Sequence, residues 1–178
     1  MTKTKYLLAT AAFAFFGAQA FADEMKPITA AEIDQVQAAW GAGIVAIGEA
    51  KAAGTHVEAA KDHIATLYAY DEGGTVLFKP TKAAADQFRG TAEEALSYFV
   101  GGSISEDKGF AINPWTKVRF ENDAVTIDSD SALAMGNYYF TDPSGKETKV
   151  EYSFGYVRGK DGRLKINLHH SSVPYGPK

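Results

Sequence analysis

The period of the hydrophobic pattern switches once along this chain, and that switch limits the folds open to it. Through the first hundred or so residues the apolar positions return at helical spacing. Ile33, Val36, Trp40, Ile44 and Ile47 recur every three or four positions and share one helix face. Ahead of them "TAAE", Thr29 to Glu32, is a capping box, in which Thr29 and Glu32 satisfy each other's free amides. Val57, Ala60, Ile64 and Leu67 carry a second stripe up to about Tyr70, and a second capping box, "TAEE" at Thr91 to Glu94, opens a third helix that stops at Gly101-Gly102. Between these, "TVLFK" at Thr75 to Lys79 is rich in β-formers and predicts a strand. After Trp115 the pattern alternates. "WTKVRFEND", "AVTIDSD", "ALAMGNYYFTD", "KVEYSFGYVRGKDG" and "RLKINLHHSS" predict four or five antiparallel strands in a meander, with "DPSG" and "GKDG" as turns. The order predicts an α+β domain: three N-terminal-half helices packed on a strongly bent antiparallel sheet, a cone whose open end is a natural pocket. The loop from Gly101 to Trp115 is long for such a domain, and long loops are often functional.

The first 22 residues stand apart. Lys3 and Lys5 precede the apolar run "YLLATAAFAFF", and small residues lead to Ala20-Phe21-Ala22. This is the pattern of a secretory signal peptide cut after Ala22, leaving one domain over residues 23–178 that is periplasmic or secreted and carries no membrane anchor. The run of about 11 residues falls short of the roughly 20 that span a bilayer. Losing Lys3 and Lys5 moves the net charge from −4 to −6. An acidic domain without a basic run is a poor nucleic-acid binder, which must neutralise phosphates. The chain has no cysteine, so disulfides, iron–sulfur clusters and thiolate zinc sites are excluded.

Chemistry concentrates in "LKINLHHSSVPY", Leu164 to Tyr175, which holds two of the four histidines. Alternation places Leu164, Ile166, Leu168, His170 and Ser172 on one strand face, with Lys165, Asn167, His169 and Ser171 on the other. The apolar set faces the core, so His170 and Ser172 are expected at the rim of the cavity and His169 and Ser171 outside. Adjacent strand residues point apart, so the two histidines do not chelate one ion. His56 and His63, seven residues apart on a helix, are separated by about 10 Å of rise. No metal site is expected from these spacings. The plain structural reading is a polar strand end whose hydroxyls cap backbone groups.

Read with its companions, the stretch gains a meaning. "LYAYDEGGTVLFKPTKAAADQFRGTAEEALSYFVGG", "GFAINPW" and "INLHHSSVPY" together resemble the iota class of carbonic anhydrases, and more closely its metal-free bacterial and algal branch. The resemblance runs from about Ile44 to Tyr175, with "FKPT", "SYF" and "HHSS" its most specific parts. It implies a cone-shaped domain, usually a homodimer, that hydrates carbon dioxide reversibly to bicarbonate. Its pocket residues carry over to Thr81 of "FKPT", Tyr98 of "SYF", and a His and Ser two apart in "HHSS". That pair is His169/Ser171 or His170/Ser172, and strand alternation favours the second. Asn137 and Tyr156 are weaker pocket candidates, and Arg89 is expected to pair with a carboxylate. The resemblance implies no cofactor; zinc or manganese, used by some iota enzymes, is the alternative. The expected chemistry is an ordered ring of hydroxyls that positions water, with His170 relaying the proton near its ordinary pKa of about 6.5. The product would form more slowly than at zinc.

The element order also resembles the cone fold shared by ketosteroid isomerase, scytalone dehydratase and the association domain of calmodulin-dependent kinase. That fold hosts other reactions and pure assembly modules. An isomerase or dehydratase needs a carboxylate base in its cavity. No Asp or Glu stands on an apolar strand face, and Glu151 alternates away from Val150 and Tyr152.

Overall fold

Two capping boxes start two of the three helices. The computed structural model describes residues 26–176; residues 1–22, expected to be a signal peptide, lie outside the described residues. Helix α1 spans Ala30–Ala50, with Thr29 Oγ1 accepting from the Glu32 amide at 3.2 Å and the Glu32 carboxylate accepting from the Thr29 amide at 3.0 Å. Helix α2 spans His56–Leu67, and α3 spans Ala92–Val100 behind the equivalent Thr91–Glu94 box. The short strand β1, Leu77–Lys79, lies between α2 and α3. Four longer strands follow: β2 (Lys117–Ile127), β3 (Ser131–Thr141), β4 (Glu147–Arg158) and β5 (Leu164–Ser172). The sheet order is β1-β5-β4-β3-β2. Strands β2 to β5 form the expected antiparallel meander, whereas β1 joins β5 in parallel, so the sheet is mixed.

The core lies between the helices and one face of this sheet. Ile33, Trp40, Ile44 and Ile47 of α1 are buried, as the stripe predicts, with Trp40 packed against Phe140, Tyr138 and Phe154 of the sheet. Each buried aliphatic side chain here contributes about 1.5–3 kcal/mol. Inward positions alternate as Ala132, Ala134, Tyr138 and Phe140 on β3, and Tyr152, Phe154 and Tyr156 on β4.

Two bulges interrupt the alternation, and both sit opposite a glycine. In β2 the register jumps between Asn122 and Ala124, leaving Asp123 unpaired; the segments expected as two strands are one bulged strand. A Cβ on the facing Gly136 would lie 2.1 Å from the Glu121 carbonyl. In β5, Tyr156 pairs with Ile166 and Gly155 with Leu168, so Asn167 is the extra residue. A Cβ on Gly155 would lie 2.8 Å from Asn167 Oδ1 and 2.9 Å from Leu168 Cβ. A bulge shifts every later side chain to the opposite face.

The Asn167 bulge makes Gly155 irreplaceable at low cost. Gly155→Ala is expected to lose about 2 kcal/mol of stability through overpacking. Gly74→Ala, where an added Cβ meets nothing within 4 Å, should change stability by under about 0.5 kcal/mol. Urea denaturation of the two variants checks this; equal stabilities would show that the bulge does not depend on Gly155.

Candidate active site

The β5 bulge decides which half of "HHSS" enters the core. His169 is 2% exposed and Ser171 is 3% exposed, both facing inward beside Phe154 and Tyr152 of β4. His170 is exposed and pairs with Ser153 on the outer face. Ser172 donates to the exposed Glu151 at 3.1 Å, also outside. The expectation that His170 and Ser172 face the cavity is therefore corrected. It counted alternation from Leu164 without a break, and Asn167 supplies the break. The weaker candidate Asn137 is also placed outside: with Tyr138 inward, Asn137 lines an outer concavity of about 440 Å³ together with Ser153, His170 and Ser172.

Inside, the sheet and the segment after β1 bring the hydroxyls together. Thr81 directly follows Pro80 at the end of β1, and its Oγ1 donates to Ser171 Oγ at 2.8 Å. The Tyr138 hydroxyl from β3 lies 3.4 Å from His169 Nε2. Burial pushes the Tyr138 phenol above its ordinary range, partly offset by bonding to the Ser171 and Thr81 side chains. Tyr98, buried in α3, stacks on Phe110 with ring centroids 5.5 Å apart. Burial also raises the Tyr98 phenol, against a lowering hydrogen bond from the Lys82 backbone. Thr81 and Tyr98 are among the residues the sequence names; Tyr138 is not, and its inward register on β3 was the available signal.

The long loop closes over Tyr98. The Phe110 amide donates to the Tyr98 carbonyl at 2.9 Å and the Ala111 amide to the Phe99 carbonyl at 2.9 Å. Arg89 anchors the loop: fully buried, it holds Asp107 at 2.7 Å, the carboxylate pairing the sequence suggested. Gly109 turns with φ +77° where a Cβ would strike Ile112. The loop thereby frames a cavity of about 130 Å³ beside Tyr98, lined also by Lys82, Asp107, Phe110 and Asn113. A larger groove of about 580 Å³ between α2 and α3, lined by Ile64, Ala65, Ala92 and Leu96, holds none of the sequence-predicted residues.

His169 is packed on every side. Phe78 stacks on it at 4.5 Å and 16°, and Phe154 meets it edge-on at 4.2 Å. Its Nδ1 lies 2.8 Å from the Tyr68 hydroxyl, which accepts from Trp40 Nε1 at 2.8 Å. Burial holds the His169 pKa well below the ordinary histidine value, with the His170 and His63 charges acting the same way. The expected proton relay by a histidine with an ordinary pKa does not fit this ring. Tyr156 is buried, but its hydroxyl accepts from Gln37 Nε2 at 3.2 Å in a separate network with Asn122 and Tyr152. Among the described residues, no group of three or more His, Asp or Glu side chains is arranged to hold a metal ion.

The buried histidines make a clear demand on pH. Burial of His63 lowers its pKa from 6.5 to about 4, so folding favours its neutral form. This stability is fully present above pH 6.5 and is lost as pH falls toward 4, about 3 kcal/mol in all. His169 acts in the same direction. Urea midpoints measured from pH 7 to pH 4 should fall, and His63→Leu should flatten the fall to the share left by His169 and the carboxylates. A variant as pH-sensitive as the wild type would show that His63 is not held neutral.

Comparison with known proteins adds the following. The family model for metal-independent carbonic anhydrase matches residues 31–173. A protein of Nostoc sp. (strain PCC 7120 / SAG 25.82 / UTEX 2576) named metal-independent carbonic anhydrase is 41% identical over 156 residues, 84% of this chain and 76% of that protein. The crystal structure of a cyanobacterial iota-carbonic anhydrase complexed with bicarbonate superposes with a TM-score of 0.81 at 39% identity, covering 85% of this chain and 95% of that one. A calmodulin-dependent kinase II association-domain-like protein of Xanthomonas campestris shares the cone architecture, with a TM-score of 0.52 at 27% identity over 83% of this chain and 86% of its own.

Proposed function

The chain belongs to the metal-independent carbonic anhydrase family, and we propose that it interconverts carbon dioxide and bicarbonate at the cluster of Thr81, Tyr98, Tyr138 and Ser171, without a metal. The observation that carries this reading is the Thr81–Ser171 hydroxyl pair at 2.8 Å, bonded to Tyr138, with Tyr98 held beside it at the Lys82 backbone. Burial raises the phenols of Tyr98 and Tyr138 and lowers His169, so none of the three holds charge near pH 7.

A neutral cluster suits a reaction that passes protons without storing them. Water attacks the carbon while one of its protons moves to a hydroxyl of the cluster. That hydroxyl releases its own proton to a carbon dioxide oxygen, which has taken the electron pair of the breaking C=O π bond. The new C–O bond gives carbonic acid, which loses a proton to water and leaves as bicarbonate. The reverse path dehydrates bicarbonate. Thr81 and Ser171, already bonded at 2.8 Å, supply the donor–acceptor pair, and their fixed positions replace the ordering of water. The Phe78 and Phe110 rings around Tyr98 and His169, with Phe140 behind Phe110, form apolar walls suited to a nonpolar gas. The bicarbonate-bound cyanobacterial relative supports the assignment of substrate.

Stopped-flow hydration on chelator-treated protein tests this. Ser171→Ala is expected to lose on the order of a hundredfold in rate, and Thr81→Val a comparable factor. Ser172→Ala and His170→Gln, on the outer face, should stay within about twofold of wild type. Activity in the chelated wild type no higher than buffer, restored only by added zinc, would reject the metal-free reading.

We also propose that two copies pair through the outer sheet face. Leu77, Leu133 and Met135 are about 60% exposed there, beside the half-buried Leu168. Exposed apolar side chains gathered on one face mark an interaction surface. Leu133→Glu with Met135→Glu should convert a dimer to a monomer in sedimentation velocity; an unchanged sedimentation coefficient would place pairing elsewhere or exclude it.

A further inference from the structure

Trp40 and Tyr68 hydrogen-bond none of the four clustered hydroxyls, although the Trp40 ring packs on Tyr138, yet they meet His169 from behind. We infer that Trp40 and Tyr68 are positioning residues that lock His169 as its Nε2–H tautomer, so that it presents a proton donor to Tyr138 and through it to the reacting oxygens. The inference deepens the hydration reading and rests on it for its functional consequence.

The argument is one of hydrogen-bond supply. The Trp40 indole nitrogen can only donate, and it lies 2.8 Å from the Tyr68 oxygen. The Tyr68 phenol therefore accepts there, and its single hydrogen needs an acceptor. Its other polar neighbour is His169 Nδ1 at 2.8 Å. Were Nδ1 protonated, two donors would face the phenol and its own hydrogen would have no acceptor. Trp40, Tyr68 and His169 are at most 2% exposed, so water does not relieve such a conflict. Nδ1 thus carries the lone pair and Nε2 the proton. Stacking on Phe78 at 4.5 Å and contact with Phe154 at 4.2 Å prevent the ring from turning over to exchange the two nitrogens.

The consequence is direction. Trp40 donates to Tyr68, Tyr68 to Nδ1, and Nε2–H faces the Tyr138 oxygen at 3.4 Å, a contact with room to shorten when substrate fills the site. Tyr138 then has its own hydrogen free for Thr81, Ser171 or a substrate oxygen. Each link points toward the cluster, and in a dry interior such links strengthen one another. Negative charge growing on carbon dioxide oxygens meets a fixed donor, which requires no reorganisation during reaction. His169 serves as a donor, and the phenol behind it keeps it from acting as a base at Nδ1.

Histidine labelled with nitrogen-15 tests this directly. Long-range proton–nitrogen spectra of wild-type protein at neutral pH should show His169 unprotonated at Nδ1 and protonated at Nε2. Tyr68→Phe removes the donor to Nδ1; it should move the His169 signals toward a tautomer mixture and lower kcat on the order of tenfold, with KM within about twofold. Trp40→Phe should shift the same signals in the same direction. A wild-type His169 protonated on Nδ1 overturns the inference whatever the variants do. So does a Tyr68→Phe protein with wild-type kcat, or one that loses activity while keeping the wild-type tautomer. An inactive wild-type protein would overturn the hydration reading and leave the tautomer measurement standing.

Discussion

One unpaired residue in the last strand, Asn167, decides which half of "HHSS" faces the core. Ahead of it, Leu164 and Ile166 face the core; beyond it, His169 and Ser171 do. Without the bulge, His170 and Ser172 would face Phe78 and Thr81, and the pairing of Thr81 with Ser171 would not exist. The bulge in turn needs a neighbour without a side chain. Gly155 provides the space, since a Cβ there would run into both Asn167 and Leu168. A backbone irregularity thus does what a change of sequence order could also have done, and it does so inside a regular antiparallel ladder.

The hydroxyl cluster proposed on that irregularity is flanked by titratable groups that burial keeps neutral. Burial pushes its phenols up and its histidine down, so both kinds of group shift toward neutrality. A metal-bound water works by acquiring charge. A hydroxyl cluster works the other way, by giving and receiving protons in the same step. The supporting elements follow from this need for order: Arg89 and Asp107 pin the loop over Tyr98, and Trp40 and Tyr68 hold His169.

Much of this was legible in the sequence, and the main miss has a definite cause. The capping boxes at Thr29 and Thr91, the α1 stripe and the switch from helical to alternating period each report local geometry, which sequence carries directly. Thr81 and Tyr98 were picked out by short motifs, and the structure places Thr81 against Ser171 and Tyr98 in the core; Arg89 meets the carboxylate expected of it. The orientation of "HHSS" was not, because alternation counts residues and a bulge adds one. Asn137 was a weaker candidate as a mid-strand amide, and it lies between the inward Tyr138 and Gly136, on the outer face. The missing signal was in plain view: Gly136 and Gly155 are glycines in strand interiors, and each lies opposite a bulge. The parallel pairing of β1 was hidden for another reason, because partner and direction for a three-residue strand are chosen by tertiary packing.

The central claim is that protons pass through neutral hydroxyls and that no titrating base drives the reaction. The pH dependence of kcat for carbon dioxide hydration by metal-depleted wild-type protein tests it most directly. A profile that stays level between about pH 6 and pH 9 is predicted, because no group in the cluster changes charge there. A sigmoidal rise centred near about 6.5 would reveal a histidine base and contradict the account.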